Sequence, residues 1–462
     1  MIPNPHVFRE YDIRGVADRD FPDDFVELLG RALGTLWARR DARRVGLGRD
    51  CRLSSPRLHA AFTRGLLRAG LEILDIGMGP TPLLYFTVFH YDLDGGVQIT
   101  GSHNPPEDNG FKMMAGKATL SGQDIADLRT MIERADFVDR PGGRVIPTDP
   151  SPAYVGFVRG NIRLADLARR PLRFAVDAGS GAGGPLAVAA MRALGLEPTF
   201  LLCDPDGRFP VHHPDPSLPE NLELLVSTVR EQGLDFGIAY DGDADRIGVV
   251  DKHGQLVFGD KLLVLLARDV IASRPGAAVL GEVKCSQMLY DDIAAKGGRP
   301  ILWKTGHSLI KKKMKEEHAL LAGEMSGHVF FADRFFGFDD AIYASLRLIE
   351  ILVRTGQRVD ELLADLPVTS STPEIRVDCP DAIKFDVVAK VLAHYRGIEA
   401  RGEGHRVIDV DGARVVFPDG AWGLVRASNT QPVLVLRFEA RDATRLEEIK
   451  AEVESRVAEL RA

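Results

Sequence analysis

In VQITGSHNPPEDNGFK (97–112) a strand-like run leads into a turn made of Gly101, Ser102, His103, Asn104 and two prolines, so Ser102 is presented at a strand end. A serine hydroxyl is a poor nucleophile alone; to carry a phosphoryl group it needs an acid or base nearby and cations to hold the moving charge. His103 and Lys112 are the local candidates. In LDFGIAYDGDADRIGVVD (234–251) a loop between two strand-like runs carries Asp241, Asp243 and Asp245 at alternate positions. Extended chain puts alternate side chains on one side, so three hard oxygen ligands converge, a set that suits Mg²⁺. The ion could complete its octahedron with a phosphate oxygen on Ser102.

Two further segments offer binding groups. In LLAGEMSGHVFF (320–331), Glu324, Ser326 and His328 alternate, giving the mixed donors and acceptors that sugar hydroxyls require. WGLVRASNTQPVLVLRFEA (422–440) places Arg426, Ser428, Asn429 and Thr430 in a turn between two strand-like runs, where a guanidinium, hydroxyls and turn N–H groups could enclose an anion. Read singly, each of these four segments also fits an ordinary polar or acidic turn.

Competing motifs fit these residues less well. An EF-hand starting at Asp241 needs Gly at its sixth place and Glu at its twelfth, where Arg246 and Lys252 stand. A haloacid-dehalogenase-type loop would use Asp241 as nucleophile and want Thr or Val in place of Asp245, which disfavours it. DAGSGAGG (177–184) satisfies G-x-G-x-x-G, follows a strand-like run and has Asp204 further on, as a dinucleotide site would. Beside the other loops it reads as a tight strand-to-helix turn, and no GK[ST] follows to make a Walker A loop.

These loops need rigid supports, and the chain supplies them as short apolar runs that alternate with stretches of helical period, the pattern of α/β units. A strand at 43–50, a helix at 54–70 and a strand at 71–77 open the first series; 172–179 and 198–204 belong to a second, and 277–285 starts a third. Pro and Gly cluster at 140–152, a boundary signal. After Leu366, strand-like pieces mix with two helical stretches, suggesting a closing α+β domain. No short-period repeat is evident.

Composition narrows the function classes. A net charge of −8 argues against a general nucleic-acid binder, yet leaves room for a locally cationic cleft. The four cysteines lack metal or redox spacing and read as free thiols of a reducing compartment. The N-terminal MIPNPHVFREYD lacks a signal peptide's apolar run, and no apolar stretch is long enough for a membrane span. The expectation is a soluble cytoplasmic protein with neither nucleic-acid nor membrane partners, acting as a monomer.

TGSHNPPEDNGFK resembles the active-site serine loop of the α-D-phosphohexomutase family, and DGDADR resembles that family's metal loop, with Ala244 where many members have Gly. GEMSGH and RASNT resemble its sugar and phosphate loops, in the family's order, and Met325 matches the phosphomannomutase/phosphoglucomutase branch. The resemblance covers nearly the whole chain. It implies three α/β domains of related topology and a smaller C-terminal α+β domain around a central cleft, here 1–147, 148–254, 255–367 and 368–462. It also implies that Ser102 carries phosphate and that, with Asp241, Asp243 and Asp245, it binds Mg²⁺. By the same resemblance Glu324 and Ser326 take ring hydroxyls, and Arg426, Ser428, Asn429 and Thr430 take the non-reacting phosphate. FREYDIRG implies roles for Tyr11 and Arg14, and KTGHSL for Thr305, Gly306 and His307, the last as acid or base; Arg246, Lys284 and His328 fall at substrate-contacting positions. The lysines after His307 read as the solvated face of a helix. The implied substrates are hexose phosphates, mannose and/or glucose, interconverted through a hexose 1,6-bisphosphate that also serves as activator.

Overall fold

Strands and helices form where Gly and Pro punctuate the apolar runs. In the computed structural model, which describes residues 4–165, 167, 171–429 and 431–461, the strand read at 43–50 is Arg44–Arg49, the helix at 54–70 is Ser55–Leu67 and the strand at 71–77 is Glu72–Met78. The Arg140–Pro152 stretch closes the first unit with the edge strand Arg144–Pro147.

Four sheets form, one per unit, and all four chemistry-bearing loops occupy the same kind of place in them. Gly95–Ile99 and Asp108–Ala115 pair antiparallel with Gln98 opposite Lys112, so the Ser102 loop is their turn. Phe236–Tyr240 and Ile247–Asp251 pair with Tyr240 opposite Ile247, and the aspartate loop is the turn between them. Leu321–Gly323 faces Val329–Phe331 around the Glu324 loop, and Trp422–Ala427 faces Val433–Ala440 around the Arg426 loop. In the first three units the leading strand of that hairpin lies parallel to its other neighbour, Arg44–Arg49, Phe174–Asp177 and Ala278–Glu282 respectively. This is the related topology that no sequence repeat betrays. In the fourth unit the other neighbour, Ala413–Val416, is antiparallel. Helices Lys384–Ala400 and Ala443–Arg461 pack on that sheet, completing the α+β domain.

Part of the interior crosses the units, although the first also keeps a cluster of its own around Phe25, Leu33 and Ile99. One apolar cluster runs from Leu74 in the first unit through Val176 and Ile238 in the second to Val359 in the third. Helix Thr81–His90 packs into it; residues 81–88 are buried on every side and mostly apolar, as an interior helix must be, and His90 at its end is exposed. The fourth unit keeps a cluster of its own, which includes Val391, Leu434 and Val453. It is joined to the third through Arg414, which lies 3.8 Å above the Trp422 ring and donates to the carbonyls of Val283 (2.7 Å) and Cys285 (2.8 Å). The four cysteines are free, and burial pushes the Cys51 and Cys203 thiols up to about 12. Among the described residues no helix is long and apolar enough to cross a membrane.

Candidate active site

The Ser102 turn and the aspartate turn meet. Ser102 Oγ donates to Asp241 Oδ2 at 2.7 Å and lies 3.1 Å from His103 Nδ1. The three aspartates have no solvent exposure, and Ser102 has 2%. The close fit has a backbone cause: a Cβ on Gly242 would stand 2.4 Å from the Ser102 carbonyl oxygen. Ser102 itself is left-handed, at φ +51°, a conformation that costs a residue with a Cβ about 1 kcal/mol.

Lys112, one strand position from the hairpin's base, donates to Asp243 Oδ2 at 2.8 Å and to Asp245 Oδ2. Burial alone would discharge it, but the three carboxylates outweigh burial and hold its ammonium charged. Asp243 also accepts from Thr81 Oγ1 and from Lys112, which keep its carboxyl well below the usual range despite burial. Thr81, at the start of the buried helix, has no signal in the sequence; it is a hydroxyl inside an apolar run.

The glycines of DAGSGAGG prove to serve this loop. A Cβ on Gly181 would stand 2.7 Å from Gly242 O, and one on Gly183 would stand 2.4 Å from Ala244 Cβ, while Ala182 N donates to Gly242 O at 2.9 Å. The turn is bare because the aspartate loop presses on it, and Asp204 is exposed. Ala244 is left-handed at φ +55°, so the family's usual Gly has a steric reason there.

Cations and imidazoles line the next stretch of the cleft. Arg14 donates to Asn104 Oδ1 (2.8 Å) and pairs with Asp12 (2.8 Å). Arg246 Nε donates to His328 Nε2 at 3.0 Å, so His328 carries its proton on Nδ1, which faces Asp339 Oδ2 and the Asp245 carbonyl, both at 3.1 Å. His307 stacks on His328 with ring centres 5.9 Å apart. Burial, reinforced by Arg246, Arg14 and Lys112, holds His103 neutral; burial and Lys311 do the same for His307. Lys311 corrects the sequence reading: only Lys312 and Lys315 face solvent fully, whereas Lys311 turns inward to Asp339 at 3.0 Å.

At the far end the third and fourth units and the N-terminal segment converge. Gly306 N donates to Glu324 Oε1 at 2.7 Å, and the Tyr11 hydroxyl donates to Thr305 O (3.1 Å) while accepting from Asn429 Nδ2 (2.6 Å). Ser326 is half-buried in the sugar turn. Glu282, missed in the sequence, is buried beneath these loops and accepts from Thr305 Oγ1 (2.5 Å) and Met325 N (3.2 Å). Lys284 Nζ pairs with Glu374 at 3.0 Å. Arg426 Nε donates to Asp411 Oδ2 (2.9 Å), which also accepts from Thr305 N (3.1 Å). Ser428 Oγ accepts from Gln431 N at 3.1 Å, closing the turn. Thr430 lies outside the described residues.

The aspartate trio suits a hard divalent cation. Its ligand oxygens lie within 4.8 Å of one another, and Asp243 Oδ1 and Asp245 Oδ1 are buried with no hydrogen-bond partner among the described residues. Burial and its two neighbours push the Asp241 carboxyl well above the usual range, a crowding that a cation would relieve. A second such grouping is Asp245, His328 and Asp339, whose carboxylates pair with Lys112 and Lys311.

Comparison with known proteins agrees with this geometry. Models of the phosphoglucomutase/phosphomannomutase α/β/α domains I, II and III match residues 5–139, 152–254 and 258–369, and that of the C-terminal domain matches 374–456. With all four in order, the molecule is a phosphotransferase of the mutase class. A phosphoglucomutase of Neisseria gonorrhoeae is 46% identical over 97% of both chains, and a phosphomannomutase/phosphoglucomutase of Pseudomonas aeruginosa is 45% identical over 96% of this chain and 94% of its own. The crystal structure of a phosphoglucomutase/phosphomannomutase family protein from Burkholderia thailandensis superposes with a TM-score of 0.91 at 41% identity, covering 99% of this chain and 98% of that one. The chain belongs to the phosphoglucomutase/phosphomannomutase family.

Proposed function

We propose that the protein interconverts the 1- and 6-phosphates of glucose and of mannose, with phospho-Ser102 as carrier and hexose 1,6-bisphosphate as intermediate and activator. The observation that carries this reading is the 2.7 Å approach of Ser102 Oγ to Asp241 at the buried end of a cleft to which each unit brings one hairpin turn. The names of the relatives support both sugars. In the first half-reaction the phosphoryl group leaves Ser102 Oγ for the free sugar hydroxyl, whose proton passes to a neutral imidazole. His307 is placed for that: its Nδ1 has no hydrogen-bond partner among the described residues, and its ring stacks on His328 of the Glu324 turn. The bisphosphate then presents its other phosphate to Ser102, and the proton returns to the sugar oxygen left behind. Lys112, kept charged by its carboxylates, and Arg14, beside the serine turn, offset charge on the moving group. Asp241, Asp243 and Asp245, with an oxygen of the phosphoserine, would hold Mg²⁺, whose contribution when bound is to neutralise that charge. Glu324, Ser326 and His328 orient the ring, while Thr305, Gly306, Tyr11, Arg246, Lys284, Arg426, Ser428, Asn429 and Thr430 grip sugar and distal phosphate. The enzyme works as a cytoplasmic monomer on these small molecules.

A coupled assay on glucose 1-phosphate, mannose 1-phosphate and glucosamine 1-phosphate, with Mg²⁺ and a trace of glucose 1,6-bisphosphate, tests the reading. Turnover of the first two without steady release of inorganic phosphate is expected; preference for the third, or net phosphate release, overturns it. Ser102→Ala should lose on the order of 10⁴-fold in activity with its Tm kept.

A further inference from the structure

Arg52 takes no part in the motifs above, yet its guanidinium is fully buried inside the serine turn. It donates to four backbone carbonyls of that one turn: Nη2 to Ser102 O (2.8 Å) and Asn104 O (2.6 Å), and Nη1 to Asp108 O (3.0 Å) and Pro105 O. Its Nε pairs with Asp50 at 3.2 Å, and the same carboxylate oxygen accepts from Gly101 N at 3.1 Å. A Cβ on Gly101 would collide with the guanidinium carbon at 2.4 Å, and the Phe209 ring from the second unit covers the cation at 5.2 Å. None of its hydrogen bonds goes to Ser102 Oγ.

The geometry points to Arg52 as a positioning residue for the phosphoryl carrier, an inference that rests on the function proposed above. A turn holding a non-glycine residue at φ +51° persists only where its surroundings over-determine it. Four carbonyls drawn onto one planar fork do so, and with the Ser102 carbonyl turned toward Arg52 its hydroxyl faces Asp241 instead. Lysine could replace the charge but not the fork, whose paired N–H groups reach separate acceptors at fixed angles. Misplacing a reacting atom by about 1 Å can cost ~10²-fold in rate.

The test uses protein phosphorylated at Ser102 with glucose 1,6-bisphosphate and mixed with glucose 1-phosphate, with loss of the protein-bound phosphate followed by rapid quench. Arg52→Lys is expected to transfer ~10²-fold more slowly per phosphorylated molecule, with KM within about threefold of wild type. A purely structural role would lower Tm and yield but leave that rate alone, so transfer within about threefold of wild type overturns the inference. If Arg52→Lys does not fold, Asp50→Asn carries the same measurement; ~10-fold slower transfer at an unchanged Tm supports the role, and an unchanged rate overturns it. Wild-type phosphoprotein that fails to transfer to glucose 1-phosphate sinks the proposed function itself, and this inference with it.

Discussion

The two ends of the cleft are built differently. At the serine end Lys112 and the three aspartates lie at 3% exposure or less, and the metal loop is pressed between the Ser102 carbonyl, the start of helix Thr81–His90 and the bare glycine turn. At the distal end Arg426 is held by one carboxylate, Asp411, and the fourth unit is tied across to the N-terminal segment through the Tyr11 hydroxyl. Fixed dipoles and charges speed a reaction only if they need no rearrangement when charge moves, which favours a rigid serine end. Under the proposed cycle the distal end must release a bisphosphate and take it again turned over, and the contacts around its anion turn, Arg426 to Asp411 and Tyr11 to Thr305 and Asn429, are polar.

The contrast can be broken by substitution. Lys112→Met should do most damage: it leaves Asp243 and Asp245 buried without their cation, and losing one partner of a buried pair costs about 3–5 kcal/mol. Its Tm should fall far in EDTA and recover in part with Mg²⁺, with kcat down at least ~10²-fold; an unchanged Tm in EDTA would show the serine end is not electrostatically tight. Tyr11→Phe removes one donor and one acceptor at the distal end, worth about 0.5–1.5 kcal/mol. That corresponds to a KM raised ~5-fold with kcat nearly kept, and a fall in kcat alone would erase the distinction between the ends. Ala244→Gly should matter least. Relief of φ +55° and the added freedom of the unfolded chain oppose each other, for a net change under about 1 kcal/mol by urea denaturation. A larger loss would mean that the Ala244 methyl, packed on Gly183, sets the loop's shape.

The hairpins and the polar residues between their strands were legible from local signals. The aspartates, however, converge through a tight turn, with Ala244 N donating to Asp241 O at 3.0 Å, and not through extended chain, and Arg426 stands in strand Trp422–Ala427 and not in the turn after it. The residues that hold these groups were not legible. Asp50 and Arg52 sit between a strand and a helix with no pattern of their own, and Glu282 ends an apolar strand. Lys311 stands among Lys312, Lys313 and Lys315, and only the angle at which helix His307–Glu317 meets the cleft decides which lysine turns inward. Thr81 and Asp243 are 162 positions apart, and nothing short of the folded chain brings them together. The DAGSGAGG glycines were read as a tight turn, but the reason for their bareness, contact with the metal loop, is likewise tertiary.

The shared apolar cluster reaching from Leu74 to Val359 carries a consequence for how the polypeptide can be severed. A cut near 148 would open that shared interior to water on both sides, although the first unit would keep a cluster of its own around Phe25, Leu33 and Ile99. A cut near Val368, which is 94% exposed on the link to the fourth unit, would spare the shared cluster and the fourth unit's own and forfeit the junction around Arg414, where Val283 packs with Trp422 and Leu424. The apolar interior is thus partitioned differently from the four sheets.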